Sequence, residues 1–187
     1  MTTAPVDRAA AVRRSLRTLV ARNGFHGTSM NAVAKQAGVA TGTAYTHYAS
    51  KDELVLAAYR ETKAQLAAAA TTGLDAGMPP AERFRGVWVN SYRYLEAHRD
   101  HARFLLQVDN SPYREAAHQA AIADGDPLVE QVALPDVAAR LLPLPLEVLY
   151  ELGLAPAVRL AAGGMELAED QLGDIAAACW RAISRPG

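Results

Sequence analysis

What is scarce in this chain narrows what it can be. Its 187 residues include one cysteine, Cys179, so no disulfide can close within the chain, and a reducing compartment is expected. No apolar run reaches the ~18 residues needed to cross a bilayer, so no membrane partner is expected. Met1 to Arg17 carries arginines but no continuous apolar stretch, which predicts no secretory signal and a cytoplasmic protein. There is no G-x-S-x-G, no Walker loop, no G-x-G-x-x-G and no H-E-x-x-H, and these missing constellations argue against an enzyme and against a bound cofactor. Strand-like alternation, low-complexity tracts and internal repeats are also missing, so the expected fold class is all-α.

Charge is nearly balanced at −1 but unevenly placed. Residues 1–54 hold seven Lys/Arg against three Asp/Glu, and residues 55–187 hold twelve against seventeen. A basic N-terminal part on an acidic remainder suits a polyanion met at one end; chance segregation of solvated charges is the alternative.

That basic part carries a pattern of two short helices and a tight turn, TSMNAVAKQAGVATGTAYTHYASKDEL, from Thr28 to Leu54. Val33, Ala34 and Ala37 share one apolar face, Gly38 breaks the helix, Val39 plugs the gap, and Thr41 to His47 forms the second helix. This is the spacing of a helix-turn-helix, whose second helix lies in the DNA major groove.

The run from Gly38 to Leu54, with Asn23-Gly24-Phe25-His26-Gly27-Thr28-Ser29 ahead of it, resembles the DNA-binding signature of the TetR family of bacterial transcriptional regulators. The close match covers about the first third of the chain. Two departures stand out. Ala40 occupies a position where the family usually has Ser, removing a side-chain cap worth ~1 kcal/mol. Ala44 replaces a common Leu. The resemblance implies a three-helix DNA-binding module at residues 1–50 and a larger helical ligand-binding and dimerisation domain at residues 51–187. It places Thr41, Gly42 and Thr46 nearest base edges, Ser29, Thr43, Tyr45, His47 and Lys51 at the phosphates, and Thr28 with them among the DNA-binding residues. For Tyr45 a packing role is the alternative.

Along the chain, Val6 to Asn23 reads as a helix with Val12, Leu16, Leu19 and Val20 on one stripe. Arg13, Arg14 and Arg17 lie off that stripe, as a solvated face or as attraction for flanking phosphates. Ser50 to Glu53 is a capping box opening a long helix to Ala70, and Gly77-Met78-Pro79-Pro80 is a break. Helices are then expected over Ala81–His98, His101–Val108, Ser111–Ala123, Leu128–Leu142, Leu146–Ala162 and Glu166–Ser184. Arg99-Asp100 is expected to interrupt the first two, and Ser111-Pro112 to cap the third.

Phe84, Trp88, Tyr92, Leu95, Phe104, Tyr113 and His118 fall on the helices where the family's layout puts a small-molecule cavity. They are read as its walls, with an ordinary core as the alternative. Few charges share these faces, so a mostly hydrophobic effector is expected. The family's architecture also implies a homodimer through the last two helices, with Leu149, Leu152, Val158, Ile175, Cys179 and Trp180 at the seam; closing the monomer core is the alternative. His98, His101 and His118 are read as surface histidines, with no metal site. The leading reading is a repressor released from a palindromic operator by a small molecule. The alternatives are a regulator of the same fold governed by a protein partner, or without a ligand, and an enzyme with an appended helix-turn-helix.

Overall fold

The computed structural model describes residues 7–75 and 77–186. Among them the chain is all-α: twelve helices, and only one isolated β-bridge, between Leu141 and Ser184. The expected start at Val6 lies outside the described residues. Helix α1 runs Arg8–Asn23, with Asp7 Oδ1 accepting the Ala10 amide at 3.1 Å as its N-cap.

The first three helices make the small module. Helix α2, Met30–Ala37, and helix α3, Thr41–His47, lie against α1 around buried Val12, Leu16, Val20, Val33, Ala34 and Ala44. Gly38 sits at φ 69° in the left-handed region, and the Val39 amide donates back to Ala34 O at 3.0 Å. That closure ends α2 within one residue and turns the chain towards α3.

Helix α4, Lys51–Ala70, leaves the module towards the larger domain. Ser50 Oγ accepts the Glu53 amide at 3.1 Å, whereas Glu53 Oε2 accepts the Ala49 amide at 2.7 Å, one residue ahead of the expected cap amide.

The larger domain is built on helix α5, Pro80–Ala97, and helix α6, Arg99–Asp109, with α6 also packed along α1. Only His98 separates them, so the expected interruption at Arg99-Asp100 is corrected: both residues are helical. Helix α7, Arg114–Ala123, starts three residues later than expected. Ser111 Oγ accepts the Tyr113 amide at 3.1 Å in a local turn and caps nothing.

Two expected long helices are each split. Leu128–Leu142 becomes α8, Pro127–Ala133, and α9, Pro135–Ala138, because Pro135 has no N–H to continue the ladder. Leu146–Ala162 becomes α10, Leu146–Gly153, and α11, Ala155–Gly163, broken at Leu154 just ahead of Pro156. A Cβ on Gly153 would stand 3.2 Å from Ile183 Cδ1, so the end of α10 lies close against the last helix here. That helix, α12, spans Glu169–Ile183, three residues shorter at its start than expected. Helix α11 packs on α5 and α6, and α12 on α5 and α10.

Candidate functional site

Helix α3 is held from below and bare above. Ala44 is fully buried against α1 and α2, and Tyr48 just beyond the helix is 6% exposed. Gly42, Tyr45, Thr46 and His47 are exposed, and Thr41 and Thr43 are half-buried. No Cβ-blocking atom lies within 4 Å of Gly42, so backbone is open to close approach there. Thr46 Oγ1 donates to Gly42 O at 2.9 Å, which leaves its methyl as the outward chemistry. The Ala40 cap makes no side-chain hydrogen bond, as the Ala at that position dictates. Ser29 is exposed at the start of α2 and its Oγ accepts the Ala32 amide at 3.2 Å. The free amides of that turn and the Ser29 hydroxyl make an anion-compatible edge.

Two residues expected at the DNA stand elsewhere. Thr28 is 3% exposed and donates to Gly24 O at 2.8 Å, so it closes the turn between α1 and α2. Lys51 Nζ donates to Phe25 O at 2.5 Å and lies 5.9 Å from the centroid of the Phe25 ring. Its ammonium is thus spent inward, on holding the start of α4 to the end of α1.

Of Arg13, Arg14 and Arg17 on α1, only Arg14 is exposed as a solvated residue open to phosphate; the other two are drawn inward. Arg13 donates to Tyr48 Oη at 2.6 Å and to Glu61 Oε1 at 2.8 Å, and Arg17 donates to Glu61 Oε2. This network ties α1, the end of α3 and α4 into one body. Burial works to raise the Glu61 pKa, but the hydrogen bonds from Arg13 and Arg17 outweigh it and hold the carboxyl below its usual range.

A cavity of about 190 Å³ lies in the larger domain, lined by residues from every helix from α4 to α12. One end is apolar, with Phe84, Val87, Leu149 and Trp180; the Phe84 and Trp180 rings are 5.4 Å apart. The other end holds Tyr59, Lys63, Asp109, His118, Asp126 and Tyr150. Its polar groups pair among themselves: Lys63 Nζ with Asp126 Oδ2 at 2.9 Å and His118 Nε2 with Asp109 Oδ1 at 3.0 Å. Burial, with the Asp109 charge added, pushes the Tyr59 and Tyr150 hydroxyls above their ordinary range, so both stay protonated.

The model of bacterial regulatory proteins of the tetR family matches residues 14–58, and that of the tetracyclin repressor-like C-terminal domain matches residues 79–184. The chain belongs to the TetR family. It is 26% identical to an HTH-type transcriptional regulator of Haemophilus influenzae, over 99% of this chain and 100% of that one. A solved TetR-family structure from that organism covers 98% of this chain and 100% of its own, with 26% identity and TM-score 0.76. The repressor KstR2 of Mycobacterium tuberculosis is 30% identical over 50% of this chain and 46% of that protein. These relatives are transcriptional regulators rather than enzymes, and the chain is a TetR-family DNA-binding transcriptional regulator.

Against that TetR-family frame, most residues expected at the effector site are corrected. Trp88, Tyr92, Leu95 and Phe104 are fully or almost fully buried and fill the core; Trp88 and Tyr92 stack at 6.0 Å. Tyr113 stands outside the cavity, 4.8 Å from the Phe25 ring, with its hydroxyl donating to Asp52 Oδ1 at 2.6 Å. Only Phe84 and His118 of that set line the space. The expected seam is divided in the same way. Leu149, Val158 and Trp180 line the cavity, and Val158 and Cys179 are buried inside the protomer. Leu152 is 43% exposed and Ile175 half-buried, so these two remain candidates for a contact with a second copy.

Sequence reasoning missed Tyr59, Lys63 and Tyr150. Tyr59, Lys63 and Leu66 recur at i, i+4, i+7 along α4 and all line the cavity, a signal hidden by the alanines around them. His98, between α5 and α6, stacks on Tyr94, His101 meets the same ring at a tilt, and His118 pairs with Asp109 on the cavity side. Burial first, then the Arg17 charge, lowers the His101 pKa to about 4.

Proposed function

We propose that this regulator is a homodimeric, cytoplasmic repressor that a mostly hydrophobic small molecule releases from a two-fold operator. The observation that carries the effector reading is the position of α7. Its face bears His118 in the cavity wall, and Tyr113, the residue that opens it, grips Asp52 and Phe25 of the DNA-binding end. A ligand that displaces α7 therefore strains the attachment of α4 to the helix-turn-helix. It releases DNA only to the extent that it binds the displaced conformer more tightly; equal affinity for both shifts nothing.

In this reading α3 enters the major groove, with Thr41, Gly42 and Thr46 at base edges and their methyls and bare backbone suited to thymine. Ser29, Thr43, Tyr45 and His47 hold phosphates. One such helix reads few base pairs, so two copies at half-sites ~34–36 Å apart are required. The dimer contact draws on the exposed apolar run around α10, where Leu144, Leu146, Val148 and Leu152 are each 37–43% exposed.

A gel shift on DNA from upstream of the protein's own gene, titrated with a panel of hydrophobic compounds, tests the effector reading. Release by a compound that no longer acts on Leu149→Trp, which fills the cavity, is the expected result. Release that persists in Leu149→Trp, or no release by any compound, favours control by a protein partner or none at all.

A further inference from the structure

Resting on the cavity as the effector site, we propose that its ligand is an uncharged lipophile carrying a hydrogen-bond acceptor such as a carbonyl oxygen, received by the hydroxyls of Tyr59, Ser91 and Tyr150. The three come from α4, α5 and α10 and surround the same space. Ser91 is 3% exposed and its Oγ has no hydrogen-bond partner; Tyr59 is 4% exposed. Among the described residues neither tyrosine hydroxyl meets a protein acceptor. A buried hydroxyl without a partner, as at Ser91, is costly, and a ligand that satisfies it recovers that cost on binding, with the two tyrosine hydroxyls open to the same acceptor.

The charged groups of the wall argue against an ion. Lys63 is already paired with Asp126, whose side chain is 5% exposed, and His118 with Asp109. Another wall cation, Arg83, is paired with Asp136 and donates to Met78 O at 2.8 Å. A carboxylate entering here would have to break one of these pairs or remain an unpaired buried charge, and an ammonium would have to take Asp126 from Lys63 or Asp109 from its hydrogen bond to His118. Arg114 and Glu147, of opposite sign, line only the exposed rim. Protonated tyrosines held above their ordinary range donate to a carbonyl across the whole physiological pH range. At about 190 Å³ the space is also below the ~300–1,000 Å³ of sites that take drug-sized ligands, which points to a short chain or a single ring.

Titration calorimetry on the full chain with 2-nonanone, nonanoate and nonylammonium, matched in chain length, separates the possibilities. The expected result is a Kd for the ketone at least tenfold below that of either ion. The Tyr59→Phe/Tyr150→Phe double variant should weaken the ketone at least tenfold and leave the ions unchanged. Ser91→Ala, the least disruptive of the set, should weaken the ketone alone. An ion that binds as tightly as the ketone, or ketone affinity unchanged in both variants, overturns the neutral-ligand proposal while leaving the cavity as a binding site. Binding of none of the three, or ketone binding that survives in Leu149→Trp, overturns the cavity reading itself and the proposal with it.

Discussion

Replacing Glu61 by Ala removes the acceptor that two arginines of α1 share. Arg17 has only 6% of its side chain exposed and Glu61 23%, so the pair is largely but not wholly withdrawn from water. The Nε atoms of Arg13 and Arg17 are already buried without a partner; without Glu61, Arg13 keeps Tyr48 Oη as an acceptor and Arg17 keeps none among the described residues. Breaking a fully buried pair costs about 3–5 kcal/mol. Discounting for the exposed quarter of Glu61, the expected loss is about 2–3 kcal/mol, or roughly 5–10 °C in Tm for a chain of this size. Because the Glu61 pKa is lowered in the folded state, its stabilisation is fully present above the unfolded pKa of ~4.3. It is lost as pH falls through the lower folded value. Urea denaturation of wild type and Glu61→Ala at pH 7 and at pH 3.5 measures both effects. A difference below ~1 kcal/mol at pH 7, or one that does not shrink at pH 3.5, would refute the reasoning.

His101 stays neutral in the fold until about pH 4. Stability should therefore decline as pH drops from ~6.5 towards 4, by about 1–2 kcal/mol once solvent screening is allowed for, and His101→Gln should flatten that slope in a denaturation series. Tyr113→Phe keeps the ring against Phe25 but loses the bond to Asp52; operator affinity without ligand should hold within about threefold, while release by ligand is blunted in a gel-shift titration. Leu152→Asp places a charge on an exposed position and should leave folding intact. It should shift the mass in sedimentation from dimer to monomer, and weaken operator binding by more than tenfold; a dimer of unchanged mass would move the contact off α10.

The DNA-binding end was the more legible part of the sequence because its signals are local. Gly38 at positive φ, Ser29 and Ser50 as caps, and the buried Ala44 all act within a few residues of their partners, and each stands where the pattern puts it. The larger domain was not legible in the same way. Aromatic side chains at helical spacing mark a buried face but cannot say whether that face borders a void, so Trp88, Tyr92 and Phe104 read as cavity walls and are core. Prolines settle helix ends: Pro135 and Pro156 each split a run whose apolar period continues across the break. Long-range pairs left no local trace. Lys63 with Asp126, Arg17 with Glu61, and Lys51 with Phe25 O each involve a polar residue that looks solvated in sequence and is drawn inward by a partner 26 or more positions away.

The central claim is that α3 reads base edges through Thr41, Gly42 and Thr46. It is tested most directly by selecting binding sites from random double-stranded DNA with the wild-type chain and with Thr41→Ala/Thr46→Ala. The account predicts that wild type enriches a two-fold symmetric site with half-sites about one helical turn apart, ~34–36 Å. It predicts that the double variant enriches a site altered at the same one or two positions of each half. Enrichment of no site by the wild type, or of the identical site by both proteins, would contradict it.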